Sequence, residues 1–249
     1  MLGRELEMKG GQESQLQRKR FVVFKRLIVL IAFVVLALVL LSHAGSFLVV
    51  NAPEHADVIL VLRGGEGSYL HAVKLQKQGY AGRILLDASA TQAIYGKSEA
   101  DLAMEFLNRT SPGLAEVCPI IQDSTFGEAA DVRLCLAPLT PSSVLIVTSD
   151  FHTRMALSIF RKRLPQYHWS VAASSAPYHD ADQWWKHRAW AKTVLDEWNR
   201  FAWWELVDRW RADVVLRKEA HMGSQPPDAV QTALAVSGAC GQRSSIVFW

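Results

Sequence analysis

Hydrophobic positions fall along this chain in three regimes. From Leu27 to Leu41 fifteen aliphatic or aromatic residues and Ala follow one another without a polar break, and the apolar stretch continues to Val50. Residues 27–50 are long enough to cross a hydrocarbon core of about 30 Å as a helix. From Asp57 onward short β-branched runs alternate with helical periodicity. Asp57–Leu62, Arg83–Asp87, Val117–Ile121, Ser143–Thr148 and Trp169–Ala173 read as five strands. Helices are expected between them: one through Leu70, Val73 and Leu75, one from Ser98, one from about Gly127 to Ala137, and one from Met155 to Leu164. The third regime, Asp182 to Trp210, is a long helical segment in which seven Trp are interleaved with charge.

Strands alternating with helices imply an α/β fold, a three-layer Rossmann-like αβα arrangement with a mostly parallel five-stranded sheet. The organisation expected is a basic arm over 1–26, a transmembrane anchor over 27–50, an α/β domain over 55–212 and a disordered tail over 213–249. Residues 51–55 form a linker in which Pro53 bars continuation of the helix. The Trp-rich segment suits packing on the sheet better than membrane contact, because charge is spread through it.

Charge sharpens this division. Of the net +3, the first 26 residues hold seven Lys and Arg against three Glu, so the remainder is one charge negative. A globular part without basic excess argues against nucleic acid as a partner. The basic arm precedes the apolar run, and no Lys or Arg follows until Arg63. The positive-inside rule then puts the N-terminus in the cytoplasm and the domain outside it, on a single-pass inner or plasma membrane protein. A cleaved signal peptide, with Ser42-His-Ala44 as its cleavage site, is the competing reading. The lengths of arm and apolar run favour the retained anchor. Export would permit a Cys118–Cys135 disulfide; buried free thiols remain the alternative, and no CxxC pair supports zinc.

Candidate chemistry concentrates where strands run into helices. Val144–Arg154 passes from an apolar run through Thr148-Ser149-Asp150 into a helical pattern. Such turns lie at the carboxyl ends of strands, where open α/β sheets bind ligands. A helix start there offers unpaired N–H groups to an anion. Asp150, His152 and Arg154 add a carboxylate, an imidazole and a guanidinium; Ser149 or Asp150 also suits a plain N-cap. After the first strand, Arg63-Gly-Gly-Glu-Gly67 offers a Gly-rich turn at Gly64 and Gly65, with neither dinucleotide-binding nor P-loop spacing. Glu99 opens the second helix and fits either a site or the helix dipole. Thr125 and Glu128 have capping-box spacing. His179, Asp180 and Asp182 could ligate a metal, though a polar loop before a helix accounts for them.

These signals occur in a known order. A strand ends in Gly64-Gly65, Ser98-Glu99-Ala100 opens the second helix, Ser124-Thr125 precedes Glu128-Ala129, and Val147-Thr-Ser-Asp-Phe-His-Thr-Arg154 follows a hydrophobic strand. Over residues 55–205 the chain resembles the domain of unknown function 218, or YdcF-like, family. The resemblance implies a Rossmann-like fold and, for anchored members, a part in envelope integrity and cell-wall or lipid-carrier metabolism. Gly64, Gly65, Glu99, Thr125, Asp150, His152 and Arg154 stand where the family's motif residues stand. The residues themselves suit an enzyme with ligand contacts at Gly64, Gly65, Thr125, Ser149 and Arg154 and with catalysis by His152, Asp150 and Glu99 on a phosphorylated or nucleotide-like ligand. The reaction class would be hydrolysis or transfer. No cofactor follows; S-adenosylmethionine, associated with a soluble member, suits an exported domain poorly. Ser68, Asp87-Ala-Ser89, Gly127-Glu128 and Met155 depart from the family pattern, and the departures remove an Arg and an Asn that could grip an anion. A non-catalytic scaffold among envelope proteins is therefore the alternative function.

Overall fold

A computed structural model describes residues 21, 24–62, 65–110, 112–174 and 181–212. The proposed disordered tail, Gly64 and most of the basic arm lie outside these residues, as do the side chains of His179, Asp180 and Asp182.

In chain order, helix α1 covers Phe24–Ser42 and is long and apolar enough to span a membrane. The short helix α2 follows at Ala44–Leu48. The domain then runs β1 (Val58–Val61), α3 (Gly65–Lys77), β2 (Arg83–Ser89), β3 (Ala93–Ile94), β4 (Lys97–Ser98), α4 (Glu99–Thr110), β5 (Ala115–Ile120) and α5 (Thr125–Leu136). It closes with β6 (Ser143–Ser149), α6 (Thr153–Arg163), β7 (His168–Ser174) and α7 (Arg188–Trp203). The fold is the α/β class expected.

Five strands form one parallel sheet in the order β5-β2-β1-β6-β7. The first strand is central because its four residues are all buried and can pair on both edges. Strand alternation divides its side chains between two cores. Val58, Leu60 and Leu62 pack with α5 and α6 on one face. Ile59 and Val61 pack with Ala72 and Leu75 of α3 on the other. Helix α4 joins α3 on that side through the Phe106–Tyr69 ring contact, completing three layers. The order in which strands are added reverses between β1 and β6, so a crevice opens there beyond the strands' carboxyl ends.

The disulfide left open by the sequence is formed: Cys118 of edge strand β5 is bonded to Cys135 of α5, with 5.9 Å between Cα atoms. Between β2 and α4 lies the β3–β4 hairpin, whose turn residues Tyr95 and Gly96 both have positive φ. That pair of conformations is the two-residue turn whose twist matches the flanking strands.

The apolar helix differs in extent from the stretch expected as an anchor. The apolar helix ends at Ser42, and residues 44–50 belong to the domain. Leu48 is fully buried among Phe151, Trp184 and Val194. Thr153 Oγ1 accepts from Val50 N at 2.7 Å, donates to Asp150 O at 2.6 Å and lies 3.2 Å from Leu48 O. Trp184 Nε1 donates to Leu41 O near the end of α1, and Trp198 Nε1 to Ala44 O at the start of α2, so two indoles tie this segment to the domain. Ala52, expected in a linker, pairs antiparallel with Val171 on the outer edge of β7.

The long Trp-rich helix is also broken. A 3₁₀ segment over Ala181–Lys186 precedes α7, and one π turn over Trp204–Asp208 follows it. Only Trp204 joins the sheet core; Trp184 and Trp198 pack around α2, while Trp185, Trp203 and Trp210 are exposed.

Candidate functional site

At the crevice between β1 and β6 lies a cleft of about 160 Å³, lined by Leu62, Asp123, Thr125, Glu128, Ser149, His152, Glu197 and Arg200. Each strand or helix end contributes through its own geometry. Leu62 follows β1, and Ser149 is the last residue of β6. A single 3₁₀ turn over Asp150–His152 then delivers the chain into α6.

His152 sits at the position preceding α6, where its Nδ1 lies 2.9 Å from Glu197 Oε2. Both side chains are largely removed from solvent, at 14% and 11% exposure, which strengthens their attraction relative to a surface pair. With Glu197 accepting from Nδ1–H, the ring is held in one orientation and Nε2 is the free acceptor. Among the described residues Nε2 has no hydrogen bond. Arg200 Nη1 stands 3.7 Å from the other Glu197 oxygen, and Arg200 Nη2 lies 2.9 Å from Asp196. The result is a relay from Arg200 through Glu197 to His152, with the outer guanidinium half exposed.

Thr125 and Glu128 enter the cleft because they do not cap α5. Ser124 is the N-cap, its Oγ accepting from Gly127 N at 3.1 Å. Thr125 is therefore the first helical residue and Glu128 the fourth, one too far for the capping box the spacing suggested. Glu128 is buried, and its side chain lines the cleft. A wider groove of about 580 Å³, bordered by Phe126, Trp203 and Arg211, shares Asp123, Thr125 and Arg200 with the cleft.

Of the residues expected at the site, Ser149, His152 and Thr125 come together here. Asp150 is buried beside them, but its Oδ1 accepts from Phe151 N at 2.9 Å and it does not line the cleft. Glu99 accepts from Ser89 N at the end of β2, and β1 stands between β2 and β6. Two strand spacings, roughly 10 Å, separate it from the His152 turn, so it does not share the cleft. Gly65 starts α3, and Gly64 lies outside the described residues.

Arg154 points elsewhere. Its Nε donates to Phe47 O, and its guanidinium stacks on the Phe47 ring at 4.2 Å. Two helical residues are about 200° apart around the axis, which puts His152 and Arg154 on opposite sides of α6. That spacing is visible in the sequence and is the signal that separates them. Glu197 and Arg200 had no such signal, since they come from a helix 45 residues beyond His152.

The cleft's chemistry is acid–base in kind. It carries three carboxyl groups, on Asp123, Glu128 and Glu197, against one guanidinium and one imidazole. No group of three or more His, Cys, Asp or Glu among the described residues is placed to hold a metal ion. No family model matches the chain, and no curated protein matches it.

Proposed function

We propose that the chain is a membrane-anchored member of the YdcF-like family, with α1 in the inner or plasma membrane and the α/β domain on the extracytoplasmic, periplasmic side. In this reading it is a hydrolase or transferase acting on a phosphorylated or nucleotide-like envelope substrate. His152 Nε2 takes or delivers the proton at the reacting oxygen, and Glu197 orients the ring and balances the imidazolium as it forms. The backbone N–H groups at the starts of α5 and α6, with Arg200, receive the anionic group.

The observation that carries this reading is the 2.9 Å His152–Glu197 pair set in the crevice where the sheet order reverses. A buried carboxylate holding one imidazole nitrogen, with the other unbonded, is the arrangement a general base needs. A different observation favours the second reading, a non-catalytic binding module of the envelope: the carboxyl groups outnumber the cations in the cleft, and Arg154 has left it.

One experiment separates the two. Full-length protein in detergent is incubated with an envelope lipid extract and with simple phosphate mono- and diesters, and ³¹P NMR follows product. The enzyme reading expects turnover that falls about 10²–10⁴-fold in His152→Ala. Glu197→Gln should lose less and alter the pH–rate profile, because the ring keeps a hydrogen bond and loses its counter-charge. Undiminished turnover in His152→Ala rejects the role given to His152. Absence of turnover with every phosphate ester rejects the enzyme in favour of the scaffold. A reporter active only outside the cytoplasm, fused after residue 249, tests the orientation.

A further inference from the structure

The cations missing from the cleft lie on the other side of α6. Between α6 and the π turn is a second hollow of about 430 Å³, whose rim includes Arg154, Arg161, Lys162 and Arg209, with Glu205 as its one carboxylate. It shares no lining residue with the His152 cleft. Arg209 is paired with Glu205, and Glu205 Oε1 also accepts from Ser158 Oγ at 2.7 Å, so the acid is already engaged at both oxygens. Arg161 donates from Nη2 to Trp169 O at 2.9 Å. Arg154 uses only Nε on Phe47 O, and among the described residues its terminal nitrogens have no hydrogen bond. Val50, Leu157 and Phe201 supply an apolar wall.

We infer that this hollow binds the phosphate of a net-anionic phospholipid headgroup in the membrane that α1 crosses. Guanidinium forks suit phosphate oxygens, and the apolar wall suits the carbons beside them. Position selects lipid over soluble phosphate. Nineteen residues of α1 span about 28 Å, close to the hydrocarbon thickness, so Ser42 stands at its boundary. Phe47, which holds Arg154, is five residues further on, about 7.5 Å at the helical rise. The headgroup layer is about 5–8 Å deep on each side. Exposed Trp185 adjoins Trp184, which bonds Leu41 O, and thus falls at the level where Trp is enriched in membrane proteins.

The inference rests on the membrane-anchored reading and not on chemistry at His152. The test uses full-length protein in detergent, titrated with phosphatidylglycerol or phosphatidylcholine of one chain length and read by native mass spectrometry. Wild type should retain one phosphatidylglycerol in preference to phosphatidylcholine. Arg154→Gln with Arg209→Gln should weaken that retention about 30-fold, and Arg209→Gln alone about fivefold, at the strength of one interfacial charge each. The Lys pair at the same positions should keep most of it. Equal retention of both lipids, or retention unchanged in the Gln variants, overturns the inference. So does displacement by inorganic phosphate at concentrations comparable to the lipid, which assigns the hollow to a soluble anion. Carbonate extraction of the chain from membranes is the separate result that removes the anchored reading itself.

Discussion

Reducing the Cys118–Cys135 bond should cost the domain a measurable share of its stability. The bond ties edge strand β5, paired on one side only by β2, to α5 across 17 residues of chain. Closing a loop of that length removes about 3 kcal/mol of chain entropy from the unfolded state. Strand β5 has little else to hold its outer edge, where Pro119 is exposed and cannot donate a ladder bond. For a domain of this size 3 kcal/mol corresponds to a fall in melting temperature of about 6–12 °C. Near-ultraviolet circular dichroism of full-length protein, melted with and without a phosphine reductant, reads the shift directly. Cys118 is fully buried, so reduction of the folded protein should lag far behind reduction in denaturant. Alkylation under denaturing conditions should modify Cys240 alone before reduction and all three cysteines after it. Identical melting curves in the two conditions would falsify the reasoning, as would three reactive thiols in protein never exposed to reductant.

Two further perturbations probe the frame around the cleft. The Asp57 carboxyl is held below its ordinary value of 3.8, first by Ser142 N–H and then by Ser143 N–H, which clamp β1 to the start of β6. A lowered folded value means its contribution is present above 3.8 and is lost as pH falls through the folded value. Asp57→Asn should therefore melt lower than wild type at neutral pH, with the gap closing in acid; a gap independent of pH defeats the assignment. At Gly45 a Cβ would stand 2.4 Å from Ala181 O and 2.6 Å from Trp184 Cδ1. Gly45→Ala should cost about 1–3 kcal/mol and open the α2 segment to protease, whereas wild-type melting and protection would show that α2 is not seated there.

The strands were readable because each is a short β-branched run closed by turn residues, and burial on both faces demands such runs. The location of the cleft was readable too, since the Ser149–His152 turn must emerge at the carboxyl edge of the sheet. Its membership was less so. Glu197 looks like one more charge on a Trp-rich helix, and only tertiary packing turns it onto His152. Glu128 looked like a cap because Thr125 and Ser124 are both acceptable N-caps, and the chain uses the earlier one. Residues 44–50 resume the apolar stretch after only Ser42 and His43, so composition could not show that Leu48 belongs to the domain's core and Leu41 to the apolar helix.

The docking of α2 carries a consequence for biosynthesis. Leu48 and Phe47 are made about 150 residues before their partners Val194, Trp198 and Phe201. Ala52 likewise waits for Val171. Roughly 150 residues of synthesis, at about 5–20 residues per second, separate these halves, so the segment beside α1 stays unsatisfied for about 8–30 s. A nascent chain in that interval presents bare aromatic surface, the kind of surface that drives aggregation and that chaperones cover. A stop codon before Val194 would leave α1 complete and the domain without its mooring.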